Sequence, residues 1–350
     1  MRPILRVGCL ESRGHRAVTA RAGVAGVRKG RERDVGERAD GSEPVGGGRV
    51  ADGGAADGGA RPAADRAGEF LDRWGLRQEG PPMRGRAAVV LPVVRTADGT
   101  RAALKLQEVD GETVGEPVAL RVWDGRGAVR LLDHDPATGT MLLERLDEAR
   151  PLASVPDVLA ATEVVAELLA RLTSVPAPGG TRWLGDITAR MLDRVPDAVG
   201  SLADEADRRL LKSCAAAVRE VAGEPGDRLL HWDLHFENVL AAGREPWLAI
   251  DPKPLAGDPG FELMPALWNR FGEGRLLRRF DLMTDVLGMA GDRERARAWT
   301  LGRVLQNSLW TVAEGGGRLS TEMTEIARTL LAPGAVGRRG PARPARNGCT

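Results

Sequence analysis

The spacing of hydrophobic and polar residues changes along the chain, and it first separates a segment without a core from the rest. Between Glu11 and Glu69 the sequence contains no Leu, Ile, Met, Phe or Trp. Such a segment cannot bury enough apolar surface to offset the entropy lost on ordering it. We therefore predict disorder for residues 1–62, and also for residues 333–350, where Gly, Pro and Arg dominate.

Residues 63–146 have the pattern of a small antiparallel sheet with two helices. Pairs of apolar runs flank turn sequences, and Asp98-Gly99 in the first turn is a strong hairpin signal. The predicted strands lie at 87–94 with 102–106, and at 128–132 with 140–146. The predicted helices lie at 64–74 and 116–123. We expect these residues to form one lobe.

From Pro156 onward the hydrophobic period becomes helical. The first helix carries a single apolar face, made of Val158, Ala161, Val165, Leu168, Leu169 and Leu172. Further helical patterns occur at about 204–222, 261–271, 276–290, 293–314 and 319–332. The whole pattern predicts an α+β fold of two lobes, with a larger and mostly helical lobe at residues 147–332.

Composition narrows the function classes. The 350 residues carry a formal net charge of +1, which gives no argument for a nucleic-acid or membrane partner. No run of 18 apolar residues predicts a membrane span. Three scattered cysteines argue against a disulfide framework and favour a reducing compartment. We expect a cytoplasmic protein without an obligate protein partner.

Three polar residues in one stretch indicate phosphoryl-transfer chemistry. Asp233 is followed five residues later by Asn238, and Asp251 comes thirteen residues after that. Transfer from ATP needs one carboxylate beside the acceptor hydroxyl and two oxygen ligands that hold Mg²⁺ on the phosphates. Short apolar runs flank all three residues, so we expect strands that present them on loops.

Two further features leave alternatives open. Lys105 interrupts an apolar strand, so it is either a solvent-facing residue or the partner of a buried charge, with Glu116 as the best candidate. His231 and His235 have a spacing that could bind a transition metal. No other histidine cluster supports that metal site, and His231 is better explained as a brace for the loop.

Several blocks of sequence together resemble the protein-kinase-like fold, and more closely the aminoglycoside/hydroxyurea phosphotransferase family, which includes streptomycin 6-kinases. The resemblance covers roughly residues 64–332. Its blocks are His231–Leu240, Ala249–Pro254, Gly257–Glu262, Ala119–Gly125, Leu142–Leu146 and Arg303–Trp310. It implies a bilobal α+β fold in which residues 63–146 bind the nucleotide and residues 147–332 carry the catalytic loop and the acceptor site.

The resemblance also implies roles for individual residues. Asp233 is expected to orient or accept the proton of the acceptor hydroxyl, and Asn238 and Asp251 to bind Mg²⁺. Lys105, paired with Glu116, is expected to hold the α- and β-phosphates. The remaining expectations concern adenine, which should dock on the linker from Glu144 to Leu146, and the possible acceptor contacts Glu237, Asp258 and Glu262. The last two are equally explained as anchors of the loop that follows Asp251.

The function implied is an ATP- and Mg²⁺-dependent kinase that phosphorylates a hydroxyl of a small antibiotic. A streptomycin-like acceptor is expected first and hydroxyurea second. Asp251 is followed by Pro-Lys-Pro rather than Phe-Gly, which fits small-molecule kinases and argues against a protein substrate. Two other classes stay open: an inactive nucleotide-binding scaffold, and a metallohydrolase built on His231 and His235.

Overall fold

A computed structural model describes residues 63–85 and 88–334. The predicted tail at 1–62, and all but the first two residues of the predicted tail at 333–350, lie outside these ranges. Within them, no helix combines the length and the apolar character that a bilayer crossing requires.

The first part of the described chain is built around a six-stranded antiparallel sheet. In space the strands follow the order β1-β3-β4-β6-β5, and β2 pairs with β3. The strands are β1 (Leu76–Gln78), β2 (Met83–Arg84), β3 (Ala88–Arg95), β4 (Arg101–Gln107), β5 (Leu131–Asp135) and β6 (Thr140–Glu144). Two helices accompany them, α1 (Ala63–Arg73) and α2 (Glu116–Trp123). Both predicted hairpins are therefore present, although their ends differ by one to three residues.

The two faces of this sheet pack against different parts of the chain. Leu104 and Leu106 of β4 are fully buried against Phe70 of α1, in a small separate core. Because side chains alternate along a strand, Ala103 and Lys105 project from the opposite face. That face is the one that meets the rest of the chain.

The second part of the described chain is mostly helical. Its helices are α3 (Val158–Leu172), α4 (Leu184–Ser201), α5 (Glu205–Val221), α6 (Leu263–Trp268), α7 (Leu276–Val286), α8 (Arg293–Ala313) and α9 (Thr321–Leu331). Short strands form two small sheets, from β7 (Asp147–Pro151), β8 (Arg228–Leu230), β9 (Val239–Ala241), β10 (Trp247–Ala249) and β11 (Leu255–Gly257). The predicted helices are present, but α4 was not predicted; it contains Pro196.

A large core connects the helical part with the sheet. It includes Trp123 of α2, Leu143 of β6 and Leu152, together with the inner faces of the long helices. The indole of Trp123 also donates a hydrogen bond to the carbonyl of Leu172 at the end of α3, at 3.0 Å. This core contains side chains from residues before and after 146. The predicted boundary between two lobes at residue 146 therefore stays a prediction.

Candidate active site

The catalytic-loop candidate begins at His231, directly after β8. Its Nε2 lies 2.9 Å from the carbonyl of Ile250, and its Nδ1 accepts from the Asp233 N–H at 3.3 Å. Since Nδ1 is an acceptor, Nε2 carries the proton and the ring is neutral. Burial lowers the pKa of His231 to about 4, which fits this state. Both nitrogens are occupied, so His231 braces the loop and is not available to a metal.

Trp232 holds a strained backbone conformation, with φ at +67°. Its N–H donates to Oε1 of Glu262 at 2.7 Å. The guanidinium carbons of Arg182 and Arg303 lie 4.3 and 5.1 Å from the centre of a Trp232 ring. Glu262 is fully buried, and burial raises its pKa to about 7. Glu262 therefore stabilises the loop through its hydrogen bond with the backbone of Trp232, and it is not exposed to solvent.

The carboxylate of Asp233 is almost buried and has a cation beside it. Nζ of Lys253 lies 3.2 Å from Oδ2 of Asp233, whose side chain is 12% exposed. Burial alone would raise the pKa of Asp233, but the electrostatic effect of the neighbouring His235, Lys253 and Arg303 side chains outweighs it and holds the pKa below its usual range. Asp233 is therefore ionised at neutral pH, as a group that receives a hydroxyl proton must be.

Asn238 and Asp251 are brought together by the backbone. The N–H of Ile250 donates to the carbonyl of Asn238 at 2.9 Å, which sets Asp251 next to it. Nδ2 of Asn238 donates to the carbonyl of Asp233 at 2.9 Å, so its amide oxygen stays available as an acceptor. Asp251 has φ at +57° and a half-exposed side chain. Amide and carboxylate oxygens are the donors that Mg²⁺ prefers, so the two residues fit that ion.

Lys105 joins the sheet to this loop. Its Nζ lies 2.6 Å from Oε1 of Glu116 and 2.9 Å from Oδ1 of Asp251. The amide of Gln107 donates to the second oxygen of Glu116, at 2.9 Å. Burial opposes the charge of Lys105, but the two carboxylates outweigh it and raise its pKa, so it stays an ammonium. Pro117 lies in the first turn of α2, where a proline is tolerated, and does not disturb the pair.

The linker after β6 has backbone groups to spare. Within residues 63–85 and 88–334, no backbone hydrogen bond engages Arg145 or Leu146. The side chain of Glu144 is instead held by Arg244, whose Nε lies 3.1 and 3.0 Å from its two carboxylate oxygens. A cavity of about 280 Å³ opens beside Arg145 and reaches Pro92. Pro92 pairs with Ala103, on the Lys105 face of the sheet.

Glu237 and Asp258 have protein partners of their own. Oε2 of Glu237 lies 3.0 Å from Nδ1 of His235 and accepts from Asn269 at 3.2 Å. Asp258 is buried; it accepts from the Gly260 N–H at 2.8 Å and from Nε of Arg295 at 2.7 Å. The position of Asp258, like that of Glu262, favours an anchoring role over contact with an acceptor. Glu237 remains partly exposed.

Sequence reasoning assigned no role to several charged residues that surround Asp233. Lys253 contacts Asp233 and lies 3.6 Å from Glu112, which in turn lies 4.0 Å from Arg182. Arg303 is buried under Trp232 and has no carboxylate within 4.0 Å among the described residues. The one signal available was the charge inside Asp251-Pro-Lys-Pro, since the other residues come from distant segments.

Comparison with known proteins places this arrangement in a family. The family model for the aminoglycoside/hydroxyurea antibiotic resistance kinase matches residues 73–315. The hydroxyurea phosphotransferase of Kitasatospora aureofaciens is 64% identical over 268 residues, which cover 76% of this chain and 78% of that protein. The streptomycin 6-kinase of Streptomyces glaucescens is 58% identical over 270 residues, covering 75% of this chain and 87% of the relative.

Solved structures agree on the fold. Aminoglycoside phosphotransferase APH(4)-Ia, in a ternary complex with ADP and hygromycin B, aligns with a TM-score of 0.54 over 76% of this chain and 97% of its own, at 14% identity. A choline/ethanolamine kinase family protein from Mesorhizobium loti aligns with a TM-score of 0.53 over 79% and 99%, at 18% identity. The predicted α+β protein-kinase-like fold is confirmed, and the enzyme is a phosphotransferase: the chain belongs to the aminoglycoside/hydroxyurea antibiotic resistance kinase family.

Proposed function

We propose that this kinase transfers the γ-phosphate of ATP to a hydroxyl group of a small antibiotic. The observation that carries the proposal is the convergence of three separate segments at Lys105, whose Nζ lies 2.6 Å from Oε1 of Glu116 and 2.9 Å from Oδ1 of Asp251. Asn238 and Asp233 adjoin this group through the loop. An ammonium, two oxygen ligands for a metal ion and an ionised carboxylate are the parts that phosphoryl transfer requires.

Asp233 is assigned to the acceptor hydroxyl. Its pKa lies below the usual range, so the carboxylate is a weak base that orients the hydroxyl and takes its proton late, as the bond to phosphorus forms. The brace from His231 and the support of Glu262 under Trp232 keep this carboxylate in one position. Catalysis would then come mainly from orientation and charge neutralisation.

Lys105 is assigned to the α- and β-phosphates, held in place by Glu116. Asn238 and Asp251 would hold Mg²⁺, which when bound neutralises the phosphate oxygens of ATP. Because Lys105 already contacts Asp251, the ammonium and the metal-binding oxygens would meet the same phosphate group. Adenine is assigned to the linker at Glu144–Leu146, whose free backbone groups and adjoining cavity support a docking place for a planar ring.

Two acceptors are proposed. A streptomycin-like aminocyclitol, expected first from the sequence, is supported by the name of the Streptomyces glaucescens relative. Hydroxyurea is supported by the name of the relative that is 64% identical. The acceptor is in either case a small molecule, and a cytoplasmic location stays a prediction.

The alternatives from other classes are less well supported. An inactive scaffold would not require all four of the residues Lys105, Asp233, Asn238 and Asp251. In this structure Lys105 contacts Asp251, and the amide of Asn238 donates to the carbonyl of Asp233. A metallohydrolase would need His231 as a ligand, but the ring nitrogens of His231 are both engaged by the protein.

The test is ADP release by the full chain with Mg·ATP and streptomycin, hydroxyurea or no acceptor. ADP release that depends on an acceptor supports the proposal, and the acceptor that produces it is the substrate. ATP binding without turnover on any acceptor would favour the scaffold. Failure to bind ATP at all would reject the kinase assignment.

A further inference from the structure

A second cavity lies next to the catalytic loop, between α4 and α8. It has a volume of about 190 Å³, and Trp232 of the catalytic loop is part of its wall. Arg190 and Arg194 line it from α4, and Gln306 from α8, while Glu112 reaches it from the loop between β4 and α2. Separate parts of the chain, distant in sequence, therefore form its wall.

A chain of ion pairs connects the wall of the cavity with Asp233. The ammonium of Lys253 lies 3.2 Å from Oδ2 of Asp233 and 3.6 Å from Oε2 of Glu112. One lysine thus connects the carboxylate proposed to receive the hydroxyl proton with a carboxylate of the cavity wall.

The charges of the wall are unbalanced. Three guanidinium groups line the cavity, from Arg182, Arg190 and Arg194, against the single carboxylate of Glu112. Glu112 is already shared between Arg182, at 4.0 Å, and Lys253. In the ranges that the structure describes, neither Arg190 nor Arg194 has a carboxylate within 4.0 Å. The wall therefore carries more positive than negative charge.

We infer that this cavity is the acceptor site and that Arg190 and Arg194 make it select small acceptors without clustered positive charge, such as a hydroxylated urea. The inference rests on the proposed function and decides between its two acceptors. Guanidinium N–H groups donate to a urea carbonyl, and Glu112 can accept from a urea N–H. Streptomycin carries two guanidinium groups of its own, and like charges brought together oppose binding.

The size of the cavity points the same way. Sites for drug-sized ligands usually enclose roughly 300–1,000 Å³. A volume of about 190 Å³ is sufficient for a fragment-sized acceptor. Size and charge are independent properties of the cavity, and both favour the hydroxyurea branch.

The test compares wild-type protein with the double variant R190Q/R194Q, which removes two charges and keeps polar side chains of similar reach. The control is R209Q/R219Q, the same charge change at exposed positions of α5, a helix that does not line the cavity. For each protein, kcat/KM is measured for hydroxyurea and streptomycin with Mg·ATP. Binding of both acceptors is measured by calorimetry at low and high salt.

We expect the wild-type protein to favour hydroxyurea, and the ratio of the two kcat/KM values to fall on the order of tenfold in R190Q/R194Q but not in the control. Streptomycin should bind wild-type protein better at high salt, because salt screens the repulsion. An unchanged ratio in the double variant, or streptomycin binding that is weakened by salt, would overturn the inference.

Failure of the proposed function gives a different result. If neither acceptor is phosphorylated although ATP binds, the kinase proposal fails. Calorimetry then still reports on the cavity: streptomycin must bind R190Q/R194Q more tightly than wild-type protein. Equal affinity for the two proteins would contradict the assignment of the arginines by itself.

Discussion

The charged side chains on the two sides of Asp233 differ in whether they have close partners of opposite charge. On the nucleotide side, Lys105 has two carboxylates within 2.9 Å and stays ionised although it is buried. On the side of α4, Arg190 and Arg194 have no carboxylate within 4.0 Å in the described part of the chain. Paired buried charges hold each other in one position, whereas charges without a close partner leave a field that acts on any nearby ligand. The two sides can therefore be tested separately.

Replacement of Asp233 by Asn should have the largest effect, because it removes the group that both sides share. We expect kcat to fall by roughly 10²- to 10⁴-fold, while ATP affinity stays close to that of the wild type. Steady-state kinetics and ATP binding by calorimetry measure the two quantities. D193N, at an exposed position of α4, is the matched control. Turnover of D233N at the wild-type rate would remove Asp233 from the mechanism.

Replacement of Asp251 by Asn should break the nucleotide side alone. We expect the affinity for Mg·ATP to fall on the order of a hundredfold, since a charged metal ligand and one partner of Lys105 are lost. Without Mg²⁺ the variant should bind ATP no more weakly than wild-type protein, because the lost carboxylate would repel the phosphates. Calorimetric titrations with and without Mg²⁺ separate these cases. Equal Mg·ATP affinity in the two proteins would contradict the metal role.

Replacement of Glu262 by Gln tests the buried carboxylate that accepts a hydrogen bond from the backbone of Trp232, next to Asp233. The pKa of Glu262 is raised to about 7 in the folded protein, above its ordinary value of 4.5, so the folded state binds a proton that the unfolded state has lost. This term is fully present below about pH 4.5 and is lost as the pH rises to about 7. Relative to E262Q, the free energy of unfolding of wild-type protein should fall by about 3 kcal/mol across that window.

Urea unfolding of the two proteins at a series of pH values checks this expectation. Because other groups titrate in the same range, the quantity that counts is the difference between wild-type protein and E262Q at each pH. A constant difference from pH 4.5 to pH 7 would show that Glu262 does not change its protonation there.

Replacement of Glu237 by Gln should have the smallest effect. Its carboxylate is already used by His235 and Asn269, at 3.0 and 3.2 Å. We expect less than about a threefold change in kcat/KM for either acceptor, since a partly exposed interaction of this kind contributes about 1 kcal/mol or less. Acceptor titrations at saturating Mg·ATP measure it. A selective loss of streptomycin turnover would instead make Glu237 an acceptor contact.

The same contrast explains what the sequence could predict. Lys105 stands out because a charge interrupts an apolar strand, and such a charge requires a buried partner. Asp233 and Asn238 are five residues apart, and the antiparallel pair β9–β10 brings the chain from Asn238 back to Asp251. The hairpins and most helices have regular periods, and their positions agree with the structure within a few residues.

The residues on the α4 side of Asp233 have no comparable pattern in the sequence. Helix α4 contains Pro196, and Gly185 and Gly200 lie near its ends, so its pattern is typical of a loop although Ile187 and Met191 are buried on one face. Glu112, Arg182 and Lys253 lie far apart in sequence, and their ion pairs exist only once the fold is formed. A surface of exposed arginines has no periodicity that distinguishes it from ordinary solvated charge.

The most direct test of the central claim is to identify the product. Wild-type protein and D233N are incubated with Mg·ATP and each acceptor in turn, and the acceptor is examined by mass spectrometry. We predict that wild-type protein adds one phosphoryl group to hydroxyurea or to streptomycin and that D233N adds none detectable in the same time. If ADP forms while both acceptors keep their mass, the phosphoryl group goes to water, and the assignment of an antibiotic hydroxyl as its acceptor is wrong.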